Sequence, residues 1–390
     1  MPTLVLHPET FIFEDDDLFL LYHSLTHRYL ECQHSDFLDG LFHGLCSLHS
    51  LYQASINAND YSTNQKIINR IVELGLGELY ANEEKVLLSY VPILNLNYDF
   101  QELKKLQSSN EDNYLLRFLH EITIFISGQI KRDSILSQIP FPLYGESPSL
   151  TVDQISAFLF KTRYCNVKRI NIMVSSSEDL KVTKALIEKT QRKHSVFVYI
   201  KMGTIPPKEI TQFEKEMPDI SIKLIGFIDD YASELNAYCH EILVKDERSF
   251  SQLNKYQKTS INRIIPLYNG DMAFFKEYLS ICREDILQVD KNDIYIHQTL
   301  NPHFFGKLFV FPDGTISDSH FGNQIGVISE MIHTIIRREI DIKGKWFFTR
   351  DKTTCRNCRF KYLCPSPSTY EIFINEFKIC FLSIKEGSGL

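Results

Sequence analysis

Residues 169–201 read RINIMVSSSEDLKVTKALIEKTQRKHSVFVYIK, and this stretch holds the repeating unit of the chain. An apolar run rich in β-branched residues, RINIMVS (169–175), predicts a strand. The segment after it, Glu178–Arg192, spaces its apolar residues at helical intervals among charges, and SVFVYIK (195–201) is again a strand. Two strands joined through a helix pair in parallel, with a right-handed crossover. The alternation continues in both directions. EITIFIS (121–127) lies upstream, and ISIKLIG (220–226), EILVK (241–245) and NRIIPLY (262–268) follow downstream. Helices are predicted at Asp153–Thr162, Pro207–Glu216 and Ser249–Gln257. Six such strands predict an α/β domain over residues 116–298, either a curved partial (β/α)6 barrel or an open doubly wound sheet. Periodicity alone fits both.

Two further regions flank it. Residues 1–115 read as a small α+β domain. VLHP, TFIFE, LFLLY and YQASI have strand character, one helix is predicted over Phe37–Leu51, and a second over Gln65–Leu79. An exposed strand edge in such a domain can take up a disordered peptide as an extra strand; the other reading is a purely structural domain. Residues 299–390 hold KLFVFPDGTIS, with Asp313-Gly314 at a turn, then a helix over Val327–Arg338 and a cysteine-rich segment.

Composition narrows the class. The 390 residues are 44% hydrophobic and 23% charged, as in an ordinary globular protein. Forty-two basic against forty-nine acidic residues leave a net charge of -7, which argues against a general nucleic-acid binder. No run approaches the roughly 18 apolar residues of a membrane span. The start, MPTLVLHPETFIF, lacks the features of a signal peptide. Nine cysteines in such a chain point to the cytoplasm and to metal binding rather than disulfides.

Four of those cysteines are spaced Cys355-x2-Cys358-x5-Cys364-x15-Cys380, with Pro365 directly after the third. Four thiolates gathered at one point repel unless a metal holds them, and both tetrahedral zinc and a [4Fe-4S] cluster accept four. Structural zinc usually takes two close Cys-x2-Cys pairs. One pair, unequal gaps and a Cys-Pro step favour the cluster, with zinc as the alternative and an unmetallated segment as the remaining one.

These residues resemble the SPASM domain, the auxiliary-cluster domain of peptide-modifying radical SAM enzymes. The likeness is strongest from NPHFFGKLFVFPDGTIS through KWFFTRDKTTCRNCRFKYLCPSPSTYE. In that family a Gly-x4-Cys turn precedes Cys-x2-Cys-x5-Cys-x3-Cys and one later cysteine. Cys355, Cys358, Cys364 and Cys380 match the ligands of the second auxiliary cluster. Ser319 and Ser368 stand where ligands of the first are expected, so the resemblance implies one cluster. It also implies a barrel of radical SAM type, yet the loop after the first strand, GQIKRDSILSQIPFPLYGES (128–147), contains no cysteine for a catalytic cluster. Ser175-Ser176-Ser177-Glu178 replaces the Gly-rich segment that contacts SAM, so no SAM is expected. The whole chain is similar to the pseudo-radical-SAM proteins of Bacteroidales-type peptide systems. That resemblance implies two partners: an active radical SAM/SPASM maturase and a ribosomally made precursor peptide with a double-glycine leader.

Weaker signals remain. Cys32, His34, His43, Cys46 and His49 raise a second metal reading, against simple packing. Between Arg337 and Lys361 nine basic residues face three acids, which fits an acidic docking partner or a solvated face. Trp346-Phe347-Phe348 beside them reads as core under the cysteine segment or as a partner anchor. An enzyme working without SAM cleavage would use polar residues near the strand ends, such as Glu178, Lys201, Asp229 and Asp230. The sequence contains no phosphate-binding P-loop and no spacing that supports a Ser-His-Asp arrangement.

Overall fold

The computed structural model describes residues 1–47, 50, 52–81, 115–129, 135–190, 195–228, 239–253, 261–271, 273–274 and 286–377. The chain opens with strands β1 (Thr3–Leu6), β2 (Thr10–Glu14), β3 (Leu18–His23) and β4 (Tyr29–Gln33). Helix α1 (Asp36–Leu45), β5 (Gln53–Ser55), α2 (Ala58–Glu73) and β6 (Gly77–Tyr80) complete this part. β5 and β6 flank β1 antiparallel, and β2-β3-β4 form a meander. YQASI is therefore a strand, as its sequence implies. The second helix differs from expectation: it begins at Ala58, capped by Asn57, and ends at Glu73. Gly75, at φ +67, turns the chain there, and residues 77–80 pair with β1 instead of continuing the helix. The first helix likewise stops at Leu45, short of Leu51.

The central part begins with β7 (Glu121–Phe125), a small hairpin of β8 (Ser127–Gln129) and β9 (Tyr144–Ser149), and α3 (Val152–Lys161). β10 (Arg169–Val174), α4 (Ser177–Lys189), β11 (Ser195–Lys201), α5 (Pro207–Glu216) and β12 (Ser221–Phe227) follow. Then come β13 (Cys239–Val244), α6 (Glu247–Leu253) and β14 (Ile261–Pro266). The six strands expected from sequence lie side by side in chain order, β7-β10-β11-β12-β13-β14, and pair in parallel. Every crossover among them steps the same way, which a doubly wound sheet does not do. Right-handed crossovers in one direction put the helices on one face. There Ile122, Ile124, Ile172, Val198 and Ile200 pack with Ile155 and Phe158 of α3 and Phe213 of α5.

After α7 (Lys291–Thr299), strand β15 (Lys307–Val310) joins the other side of β7 in parallel. β16 (Thr315–Ser317) and β17 (Gln324–Val327) extend the sheet to nine strands. The helix predicted from Val327 begins later, as α8 (Ile332–Ile342), because residues 324–327 pair with β16. The cysteine segment is mostly turns and ends in α9 (Thr369–Ile374). It lies on the N-terminal meander: Phe360, Tyr362 and Leu363 share a core with Phe11, Phe13, Leu20 and Tyr22. Among the described residues, no helix is long and apolar enough to cross a membrane.

Candidate metal centre and the strand-end cleft

Cys355 and Cys364 are buried and Cys358 is half-buried. Tight turns fix their backbone. The Cys355 N–H donates to Thr353 Oγ1 at 3.1 Å, the Cys358 N–H to the Cys355 carbonyl at 2.9 Å, and the Cys364 N–H to the Phe360 carbonyl at 2.7 Å. A buried guanidinium organises the segment. Arg350 Nε donates to the carbonyl of Pro365 at 2.7 Å, and its Nη1 to Glu371 Oε1 at 3.0 Å and to the Phe377 carbonyl at 3.2 Å. The same Nη1 lies 3.9 Å from Cys355 Sγ. Burial works against the charge on Arg350, but Cys364, Glu371 and Cys355 outweigh it and raise its pKa.

The fourth cysteine, Cys380, lies outside the described residues. The chain leading to it passes the site, because Cys355 Sγ donates to the Phe377 carbonyl at 3.2 Å, three residues before Cys380. Among the described residues, no three His, Cys, Asp or Glu side chains converge as a metal-holding group. Three of the four candidate cysteines thus share one turn-rich segment, two of them buried, with the Arg350 guanidinium beside Cys355.

Ser368 and Ser319 both have structural partners. Ser368 caps α9: its hydroxyl accepts from the Glu371 N–H, and Glu371 Oε2 accepts from the Ser368 N–H. Ser319 is fully buried and donates to Asp318 Oδ1 at 3.3 Å. Asp318 also accepts from the Lys345 N–H, and Glu339 accepts from the Trp346 N–H. Burial, then the neighbouring Asp318, push the Glu339 carboxyl up to about 9.

The loop after β7 is clamped at its base by the β8–β9 pairing. Gly128, at φ +103, touches Leu143 and Tyr144 so closely that a Cβ would lie 2.7 Å from Leu143 Cβ. The described part of this loop turns inward over the open face of the sheet. Leu136, Ile139 and Phe141 pack on Phe125, Met173, Tyr199, Ile225, Leu243 and Ile265. Phe125 stacks on Phe311 with ring centres 5.2 Å apart. At the loop's centre, the buried Gln138 bonds to both backbone groups of Tyr268, beyond the last parallel strand. A void of about 40 Å³ lies between this loop, Phe125, Phe311 and His320. Ligand pockets are typically about 300–1,000 Å³.

Ser175-Ser176-Ser177-Glu178 forms the cap of α4. Ser176 accepts from the Asp179 N–H, and the buried Asp179 carboxylate accepts from both the N–H and the hydroxyl of Ser175 at 2.9 Å. Glu178 points to solvent and pairs with Lys181. Lys201 lies over the Tyr144 ring, 3.7 Å from its centre, while Asp229 and Asp230 lie outside the described residues. The described polar residues proposed for an enzyme are thus dispersed.

The other sequence signals resolve similarly. Cys32 packs in the N-terminal core with Cys46 against its edge; burial raises both thiols to about 11. His34 bonds to Asp39 and His43 to Glu14; His49 lies outside the described residues. Much of the basic run is paired internally. Arg350 pairs with Glu371, Arg359 with Asp15 and Glu31, Arg338 with Glu330, and Lys361 with Asp351. Trp346 is fully buried, its Nε1 donating to the Lys307 carbonyl at 3.0 Å, so it is core.

Below the apolar plug, toward the N-terminal ends of the strands, the same sheet face becomes polar and borders a cavity of about 270 Å³. Sequence reading missed it. Its signal was present in RINIMV, where Arg169 and Asn171 alternate with Ile170 and Ile172 on one face of a strand.

No family model and no curated protein matches this chain. Among solved structures, it is similar to Streptococcus suis SuiB bound to precursor peptide SuiA. The TM-score is 0.39 at 10% identity, over 97% of this chain and 100% of that one. SuiB alone gives 0.39 at 11%, and SuiB bound to S-adenosylmethionine 0.38 at 11%, with the same coverage. Values this low carry no functional conclusion.

Proposed function

We propose that this protein is a catalytically degenerate, radical-SAM-like partner in the maturation of a ribosomally made peptide. In this reading, residues 116–298 are a partial barrel of radical SAM type and residues 299–390 a SPASM-like domain. The observation that carries it is the plug. The loop in which such a fold would hold its catalytic cluster has no cysteine, and its Leu136, Ile139 and Phe141 occupy the cleft where a cofactor would lie. The C-terminal segment supplies the other half, since its cysteine spacing resembles that of an auxiliary-cluster domain.

Cys355, Cys358, Cys364 and Cys380 would hold one [4Fe-4S] cluster, with zinc as the alternative occupant. Bound there, the cluster supplies a covalent staple and a one-electron relay. Arg350 keeps the surrounding turns in place whichever metal is present. The partners in this reading are an active radical SAM/SPASM maturase and a precursor peptide with a double-glycine leader, all in the cytoplasm. The strand edges of residues 1–115 offer a place for the leader to add as a strand.

Anaerobic purification followed by iron, sulfide and zinc analysis tests the metal. About four irons and four sulfides per chain support the cluster, whereas stoichiometric zinc leaves a structural staple. Incubation with SAM and a strong reductant tests degeneracy, and 5′-deoxyadenosine formed by this chain alone would refute it. Co-purification with an active radical SAM/SPASM maturase, with and without precursor peptide, tests the partnership. Separate elution of the two proteins under both conditions would refute it.

A further inference from the structure

The polar cavity on the open sheet face serves none of the roles above. Arg169, at the start of β10, lies on its wall. Its Nε donates to Asn171 Oδ1 at 2.8 Å and its Nη2 to the Tyr199 hydroxyl at 2.7 Å, while the guanidinium stacks 4.3 Å from the centre of the Phe197 ring. These contacts hold the group in one orientation, yet every acceptor is neutral. Lys307 lies across β7 from Arg169, since both strands pair with Glu121. Arg263 lies on the far side, on β14. Among the described residues, none of these three cations forms an ion pair with a carboxylate.

Each of the two carboxylates on the wall has one oxygen engaged and the other oxygen left to accept. Glu241 is buried and pairs with Lys223 at 3.2 Å, and Glu121 accepts from Asn171 Nδ2 at 2.8 Å. Three cations, Arg169, Arg263 and Lys307, stand against two carboxylates on the cavity wall, an excess of one positive charge, and one of those carboxylates, Glu241, is already balanced by Lys223. The buried ring of His320 also faces the space; burial pushes its pKa down to about 3, so near neutrality it adds no charge.

We infer that this cavity is a binding site for a carboxylate-bearing ligand of amino-acid or short-peptide size. A planar guanidinium held by its neighbours matches a carboxylate in two-point geometry. The Glu121 and Glu241 oxygens beside it accept N–H groups, which an amino-acid derivative carries and a bare inorganic anion does not. Tyr199, Tyr370 and Phe309 supply apolar and aromatic wall. The volume is near the lower end for ligand pockets and suits one or two residues. The ligand is either a free acidic metabolite or an acidic side chain of a bound peptide, and both present the same group.

Calorimetric titration of the full chain tests this with three probes: N-acetyl-glutamate, the dipeptide acetyl-Glu-Glu-amide, and the neutral acetyl-Gln-Gln-amide. Saturable binding of either acidic probe, weakened by salt and absent for the neutral one, is expected. Binding of N-acetyl-glutamate assigns the site to a free acid; binding of the dipeptide alone assigns it to a peptide side chain. Arg169→Gln and Lys307→Gln should each weaken that binding by about tenfold or more, as loss of a charge-assisted hydrogen bond does. Melting temperatures of both variants are measured alongside, and if Arg169→Gln fails to fold, Lys307→Gln decides. No binding of either acid, equal binding of the neutral probe, or affinity unchanged in a folded variant would overturn the inference.

Discussion

The side chain of Gln138 binds the backbone of Tyr268 as a neighbouring strand would. Its Nε2 donates to the Tyr268 carbonyl at 2.6 Å, and its Oε1 accepts the Tyr268 N–H at 2.7 Å, across 130 residues of sequence. This pair ties the loop after the first parallel strand to the end of the sixth. It holds Leu136 and Ile139 over the open face of the sheet. The cleft is closed by a specific attachment rather than by loose packing.

Gln138→Ala removes both of these bonds to the Tyr268 backbone. A loss of about 1–3 kcal/mol of stability is expected, since each of these two half-buried hydrogen bonds contributes on the order of 0.5–1.5 kcal/mol. Gln138→Glu should restore little, because a carboxylate cannot donate to the carbonyl. Chemical denaturation, with hydrogen exchange over residues 135–143 and at Tyr268, reads both effects.

Arg350 and Glu371 form a buried ion pair, each less than a tenth exposed, beneath the cysteine turns. Arg350→Met should cost about 3–5 kcal/mol, because Glu371 is left as an uncompensated buried charge. The double variant Arg350→Met/Glu371→Met should recover much of that loss. A fluorescence melt of the single and double variants measures the coupling. Metal content of the double variant then shows whether the turns hold their shape without the pair.

Arg359 joins the cysteine segment to the N-terminal meander through Asp15 and Glu31. Burial tends to raise the Asp15 carboxyl, but its bonds to Arg359 and to the Leu18 and Asp17 N–H groups win, and its pKa lies below the usual range. Its stabilising contribution is therefore present above the unfolded-state value of about 3.9 and is lost as pH falls through the lower folded value. Arg359→Ala should cost about 1–2 kcal/mol near neutrality, more than a fully exposed pair because these side chains are mostly covered. The difference from wild type should shrink as pH falls below the unfolded-state value of about 3.9 toward the lower folded one. Limited proteolysis across that pH range follows release of the meander.

Glu339 runs the opposite way. Its folded pKa is raised from 4.5 to about 9, so the native state holds a proton that the unfolded chain has released. Stability from this group is fully present below 4.5 and falls as pH rises toward 9, by at most roughly 1.4 kcal/mol per pH unit. Glu339→Gln keeps an acceptor for the Trp346 N–H and places an uncharged donor beside Asp318. The variant should flatten the decline in melting temperature between pH 5 and 9. An unchanged slope would mean that Glu339 is ionised in the native state.

The parallel strands and their helices were legible in sequence because each is set by a local rule. Two- and 3.6-residue periods, the Ser176 cap and Pro207 in the first turn of α5 act within a few residues. The cysteine spacing is equally local, and by itself it marks the candidate ligands. By contrast, the end of α2 depended on Gly75 and on a strand partner at β1. The basic run read as surface, although Arg350 and Arg359 find their acids at Glu371, Asp15 and Glu31. It takes the assembled sheet to turn the cysteine-free loop into an apolar plug, and to set Arg169, Arg263 and Lys307 around one cavity. Those groups lie far apart in sequence. One-directional winding of six strands brings their shared face together, and no local period encodes a juxtaposition of that kind.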